Sequence, residues 1–233
     1  MMDVLLGHQF WISLLEIIGV NIVLSGDNAV VIALAARSLP LRQQRKAVIF
    51  GSIAAIFMRV LLTLFAVEIL KLPYLKLIGS ALLLWIGIQL LVPDDDNGED
   101  IESKDTLLAA IKTILVADLV MSIDNVIGVA AAAKGNVTLL VLGLAISIPL
   151  IVFGSSVMLR CMERFPVIVT LGGALLGYIA GEMAVSDLAI SDWILSNAHW
   201  IEQPAGIVGA LGVVAVGRWL AQRRMQPGDD RVV

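Results

Sequence analysis

Two apolar stretches of the chain each carry an aspartate followed directly by an asparagine. The first, NIVLSGDNAVVIALAAR, covers 21–37, and the second, DLVMSIDNVIGVAAAAK, covers 118–134. A charged carboxylate at the centre of a membrane helix costs about 2.5–3.5 kcal/mol on insertion scales. Arg59 is the one basic residue well inside an apolar run, and one arginine cannot neutralise three aspartates. The pattern therefore predicts that some carboxylates are protonated or that a cation binds beside them.

The polar side chains in these stretches are oxygen donors, which are typical of a site for a hard divalent cation. The candidate metal ligands are Asp27, Asn28, Asp118, Asp124, Asn125 and Asn21. Candidates for the pathway or the surroundings of the ion are Ser25, Ser122, Glu182 and Arg59. Carboxylate and amide oxygens suit Mn²⁺, Mg²⁺ and Ca²⁺, whereas Zn²⁺ and Cu⁺ prefer nitrogen and sulfur ligands. These residue types leave the choice among the three hard cations open.

Helical periodicity divides the polar residues into two groups. At about 100° per residue, Asn21, Ser25 and Asn28 share one stripe, and so do Asp118, Ser122 and Asn125. The two motif aspartates, Asp27 and Asp124, lie about 120° away from those stripes on a straight helix. Gly26 and Gly128 allow each helix to bend or open nearby, and the hypothesis is that backbone carbonyls freed there join the ligands, as in transporters with broken helices.

The composition places the chain in the bilayer. It has 233 residues, of which 59% are hydrophobic and 15% are charged, and its mean hydropathy is +0.93. Soluble domains carry about 25% charged residues. One cysteine and two histidines argue against a disulfide framework or a zinc site. We expect a multi-pass protein of the cell membrane, with lipid and a divalent ion as partners, no nucleic acid and no prosthetic group. Homo-oligomerisation stays open.

Seven apolar runs of about 18 to 28 residues are long enough to cross a hydrocarbon core of roughly 30 Å. The predicted spans are 9–36, 47–68, 75–92, 106–133, 137–159, 165–184 and 203–221. An acidic loop at 93–105 and a tail at 222–233 complete this single transmembrane domain. Lys and Arg gather in the loops on one side, which predicts an outer N-terminus and a cytoplasmic C-terminus.

The spans form a predicted internal repeat. Asp27 aligns with Asp124 without a gap, and seven of the seventeen positions in the two stretches are identical. A second match pairs IGSALLLWIGIQ (78–89) with LGGALLGYIAGE (171–182). Two three-span units, 9–92 and 106–184, must enter the membrane from opposite sides because three is odd. This all-α, 3+3 inverted-topology arrangement with one extra C-terminal helix typically places a site at the bilayer midplane.

With these motifs, SGDNA in the first span and SIDNV in the fourth, the chain resembles the TerC family of integral membrane proteins. The likeness covers about 10–185 and is greatest to the short bacterial members. That family is associated with manganese efflux. The resemblance therefore implies Mn²⁺ export and a metal-binding role for Asp27, Asn28, Asp124 and Asn125, with Asp118 and Asn21 beside them.

Three other functions compete with that of a proton-coupled Mn²⁺ exporter. Intramembrane aspartyl proteases also pair two membrane aspartates, but their accompanying motifs do not occur in this chain, so no enzymatic activity is expected. A membrane accessory factor that supplies metal to exported or membrane proteins, or helps to assemble them, would contain the same site. A proton-linked exporter of a small organic solute is the third reading; it fits less well because intramembrane basic pairs and pocket aromatics are scarce.

Overall fold

The structure is a computed structural model that describes residues 8–23, 26–92, 103–133 and 136–224. Side chains are described for 11–12, 14–20, 26–66, 68–92, 107–133 and 136–224. Over these ranges the chain is helical and contains no strand. The predicted all-α class is thereby confirmed for the described part of the protein.

Each predicted span is matched by helix. In chain order the helices are α1 (His8–Val23), α2 (Gly26–Ala36), α3 (Leu41–Leu64), α4 (Ala66–Ile69), α5 (Leu75–Leu91), α6 (Ser103–Ala133), α7 (Val137–Arg164), α8 (Val167–Val185), α9 (Ser191–Asn197) and α10 (Glu202–Arg224), with a 3₁₀ helix at His199–Ile201. Five helical stretches are long and apolar enough to cross a membrane: α3, α6 from Leu107, α7, α8, and the 3₁₀ helix with α10. Two shorter apolar helices, α2 and α5, accompany them. The orientation of the spans remains a prediction.

Large apolar side chains cover the outside of these helices. All five tryptophans are exposed, from 49% at Trp219 to 75% at Trp200. Phe57 and Phe153, in the middle of long helices, are each 64% exposed. In water such a surface would be unfavourable, because every apolar Å² left uncovered forgoes about 25 cal/mol. The surface is that of a protein surrounded by lipid.

The chain divides into two compact units. The first consists of Met1–Leu72 and Leu107–Arg160, and the second of Pro73–Thr106 and Cys161–Val233. Helices α1 to α4, α6 from Leu107 and most of α7 belong to the first unit, whereas α5, α8, α9 and α10 belong to the second. Each unit therefore contains spans from both predicted three-span repeats, 9–92 and 106–184, and the repeat itself stays a prediction.

In the first unit, glycines let neighbouring helices approach closely. A Cβ on Gly51 of α3 would lie 2.8 Å from Ile114 Cδ1 of α6, and one on Gly154 of α7 would lie 3.6 Å from Ala29 Cβ of α2. Helix α2 also packs along α3. Small residues at such contacts give close van der Waals packing, which holds helices together where lipid weakens the hydrophobic effect.

The second unit is built on mutual contacts among α5, α8 and α10. Gly177 of α8 lies against the backbone of Gly209 of α10, so neither position has room for a side chain. Leu83, Leu176 and Val213, one from each helix, are completely buried. Gly79 and Gly172, which the repeat aligns, are both buried as well.

The N-terminus of α5 is capped from far along the chain. Asp187, which is 1% exposed, accepts hydrogen bonds from the backbone N–H groups of Tyr74 (3.0 Å), Lys76 (2.9 Å) and Leu77 (3.1 Å), and from that of Ala189 (2.8 Å). Tyr74 has a φ of 66° and makes no side-chain cap. Burial raises the pKa of Asp187, but the four N–H donors outweigh burial and hold the pKa below its usual value.

Candidate metal site

A buried ion pair links α3 to α6. Arg59 Nη2 lies 2.6 Å from Asp118 Oδ1, and the two side chains are only 2% and 6% exposed. Arg59 Nε also donates to Ser122 Oγ at 3.0 Å, and the Ser122 hydroxyl donates to Asp118 Oδ2 at 3.3 Å. Asp118 and Ser122 lie one turn apart on the stripe predicted from the sequence. The guanidinium therefore neutralises one of the three intramembrane aspartates.

The first motif aspartate lies beside this pair. Asp27 is in the first turn of α2, is half-buried, and interacts electrostatically with both Arg59 and Asp118. Its Oδ1 accepts a hydrogen bond from the backbone N–H of Asn28 at 2.8 Å. A carboxylate in the first turn of a helix is favoured by the helix dipole. Asp27 is thus held in place locally, with a second oxygen that this bond does not use.

The neighbouring amide is buried without a partner. Asn28 is 2% exposed, and neither Oδ1 nor Nδ2 has a hydrogen-bond partner among the residues that the structure describes. Buried polar side chains nearly always have partners, because leaving one unsatisfied costs about 1–3 kcal/mol. Such an exception beside a carboxylate is the kind of position at which a ligand binds.

The second motif has a different environment. Asp124 is exposed and Asn125 is half-buried, and both make contacts with neighbouring groups. Asp118 lies on another face of α6 and is buried. Within the described residues, no group of three or more His, Cys, Asp and Glu side chains is arranged to hold a metal ion. The two Asp-Asn pairs therefore differ in burial, and their membership of one shared site stays a prediction.

Comparison with known proteins identifies the family. The family described as integral membrane protein TerC matches residues 6–225. The chain belongs to the TerC family. Its relatives include three uncharacterized membrane proteins of Bacillus subtilis (strain 168). YjbE is 45% identical over 79% of this chain and 84% of its own length, YkoY is 24% identical over 94% and 74%, and YceF is 26% identical over 70% and 66%. No solved structure matches.

The other features predicted for this TerC protein are Asn21, Ser25, the two helix openings and Glu182. The side chains of Asn21 and Ser25 lie outside the described residues, as does the position beside Gly26 at which the first span was predicted to open. The predicted opening of the fourth span near Gly128 is wrong, because α6 is continuous from Ser103 to Ala133. Glu182 is exposed, and its Oε1 accepts a hydrogen bond from Tyr178 at 2.7 Å.

The sequence alone missed Asp187 and two buried serines of the first unit, Ser52 and Ser155. Asp187 lies in a short connection outside the apolar runs, where a charged residue is not unusual. The serines lie within predicted spans, but serine is common in membrane helices. What distinguishes these two hydroxyls is their missing hydrogen bonds, and no sequence pattern reports that.

Proposed function

We propose that this TerC protein exports a hard divalent cation, Mn²⁺, across the bacterial cell membrane. The ion binds at Asp27 and Asn28, beside the Arg59–Asp118 pair. The observation that carries the proposal is the buried Asn28 amide, whose two polar atoms have no partner among the described residues, next to a carboxylate in a membrane-spanning unit. An amide oxygen and a carboxylate oxygen are ligands that Mn²⁺ accepts.

The charges of the described side chains favour reversible binding. Asp27 and Asp118 contribute two negative charges, and Arg59 contributes one positive charge, so this group is net negative without an ion. A divalent cation reverses the sign, and a net positive charge in a low-dielectric environment favours release. Asp124 and Asn125 then contribute along the pathway on the other side of α6.

Proton exchange would supply the energy for export. An inside-negative potential opposes the exit of each positive charge by about 2.3 kcal/mol per 100 mV. For the two charges of Mn²⁺ the opposing free energy is about 4.6 kcal/mol at 100 mV. Carboxylates that take up protons as the ion leaves would couple the two movements. In proteoliposomes, Mn²⁺ efflux should accelerate when the pH gradient drives protons in the opposite direction. Efflux that is independent of the imposed gradient would contradict the coupling.

The contacts of Asp118 argue against a proteolytic role. An aspartyl protease needs two carboxylates that share one proton and activate water. Asp118 is instead engaged by a guanidinium at 2.6 Å and by the Ser122 hydroxyl. This arrangement supports a transporter-type role over a catalytic one.

The decisive experiment measures cellular Mn²⁺ after a manganese load in cells that lack their own exporters. The intact protein should lower the Mn²⁺ content, and Asp27→Asn should abolish the effect at equal protein level. Glu68→Gln is the matched control, since that side chain is 78% exposed and pairs only with Lys71 in the contacts described. If the intact protein leaves Mn²⁺ unchanged, export is wrong, and the accessory or organic-solute function would take its place.

A further inference from the structure

Two buried hydroxyls of the first unit resemble the Asn28 amide in lacking partners. Ser52 of α3 is 1% exposed and Ser155 of α7 is 0% exposed. Neither Oγ has a hydrogen-bond partner among the described residues. Together with the two Asn28 atoms, they are the buried side-chain oxygens and nitrogens found without a partner in the described part of the chain.

Other hydroxyls in the same helices make the usual bond. Ser147 donates to the Gly143 carbonyl at 3.0 Å, Ser156 to the Val152 carbonyl at 2.7 Å, and Thr63 to the Arg59 carbonyl at 2.7 Å. A serine inside a helix can always satisfy its hydroxyl in this way, by bonding the carbonyl one turn earlier. The hydroxyls of Ser52 and Ser155 make no such bond, although both are buried.

The helix contacts bring these residues to one level. Asn28 and Ser155 are the direct neighbours of Ala29 and Gly154, which contact each other between α2 and α7. Helices α2 and α3 pack as a hairpin joined by 37–40. At 1.5 Å per residue, Asn28 lies about 12 Å from the end of α2 and Ser52 about 17 Å from the start of α3. Asn28, Ser52 and Ser155 therefore lie at similar depths, within about 5 Å along the helix axes and near the depth of Asp27, and all three are buried in the first unit.

We propose that Ser52, Ser155 and Asn28 are neutral ligands that complete the cation site around Asp27. This inference rests on the proposed function and extends its ligand set by two hydroxyls. Neutral oxygens replace water around a cation without adding negative charge, so the ion must lose its own water to bind there. Mg²⁺ gives up its water reluctantly. The neutral ligands therefore favour Mn²⁺ over Mg²⁺.

The test compares serines within the same unit. Mn²⁺ binding to purified protein is measured by calorimetry, and the unfolding temperature is measured in chelator, for Ser52→Ala and Ser155→Ala. Ser147→Ala and Ser156→Ala are the controls, because their hydroxyls bond their own helix. We expect about tenfold weaker Mn²⁺ binding in each of the first two variants and wild-type binding in the controls.

The unfolding temperature separates a ligand from a structural hydroxyl. Removing a buried hydroxyl that has no partner should leave the metal-free protein equally stable or make it more stable. Lower stability of Ser52→Ala and Ser155→Ala in chelator would therefore overturn the inference. So would binding equal to that of the controls while the wild type binds Mn²⁺, and the proposed function would then still stand. Failure of the wild type to bind Mn²⁺ would refute both.

Discussion

Replacing Arg59 with methionine should severely destabilise the first unit. The change removes the counter-charge of Asp118, whose side chain is only 6% exposed, together with the hydrogen bond to Ser122. Removing one partner of a buried ion pair typically costs about 3–5 kcal/mol, because the other charge stays buried without compensation. The expected loss for Arg59→Met is in that range.

The double variant Arg59→Met/Asp118→Asn should be more stable than Arg59→Met. It removes both charges, so the remaining loss is that of ordinary hydrogen bonds, about 1–2 kcal/mol. Asp118→Asn alone completes the cycle that gives the coupling between the two side chains. The expected difference between Arg59→Met and the double variant is about 2–3 kcal/mol. It corresponds to a factor of roughly 30 to 150 in the unfolding equilibrium constant.

The assay is equilibrium unfolding of purified protein in mixed micelles, with all variants at the same lipid and detergent ratio. The exposed pair Lys71–Glu68, at 3.2 Å, is the control. Breaking it in Lys71→Met should cost at most about 1 kcal/mol, because exposed pairs contribute little. If Arg59→Met behaves like Lys71→Met, or if the double variant loses the sum of both single losses, the pair does not hold α3 to α6.

Two further predictions concern the second unit. Since N–H donors hold the pKa of Asp187 low, its stabilising contribution is complete above about pH 4 and is lost as the pH falls through the lowered value. Unfolding temperatures between pH 7 and 3 should therefore fall less steeply in Asp187→Asn than in the wild type, whereas the exposed control Asp192→Asn follows the wild type. Gly209→Ala should lower the free energy of unfolding by about 1–3 kcal/mol, because the added methyl group forces α10 away from α8. Gly212→Ala is the control and should not destabilise the protein, since a Cβ there meets nothing within 4 Å. Equal stability of the two variants would contradict the close contact.

The helices were predictable because long apolar runs have few alternatives in a membrane. The helix boundaries were less predictable than the helices themselves, as α3 shows. Its predicted start at 47 is six residues late, because hydropathy excludes the polar residues 41–46 from the span. Helix α3 in fact begins directly after Pro40, where proline readily precedes or opens a helix. Hydropathy identifies the apolar segment and not the full helix that contains it.

The site was predictable in type and only partly in arrangement. Periodicity placed Asp118 and Ser122 on one stripe, and the structure pairs both with Arg59. Which aspartate pairs with Arg59 depends on how α3 packs on α6, and the sequence of neither helix alone predicts that packing. The predicted opening at Gly128 failed because a helix in lipid keeps its backbone hydrogen bonds wherever no other partner replaces them. Glycine permits an opening but does not require one.

The distant cap of α5 has a consequence for the order in which the protein is made. Asp187 is translated 113 residues after Tyr74, whose backbone it bonds. The ribosome must therefore complete α6, α7 and α8 before α5 acquires its cap, and α10 before α5 has all its packing partners. A chain truncated before Asp187 should thus leave α5 packed on α8 but without its cap and without α10, and so more open to proteases and quality control, although its own sequence is intact.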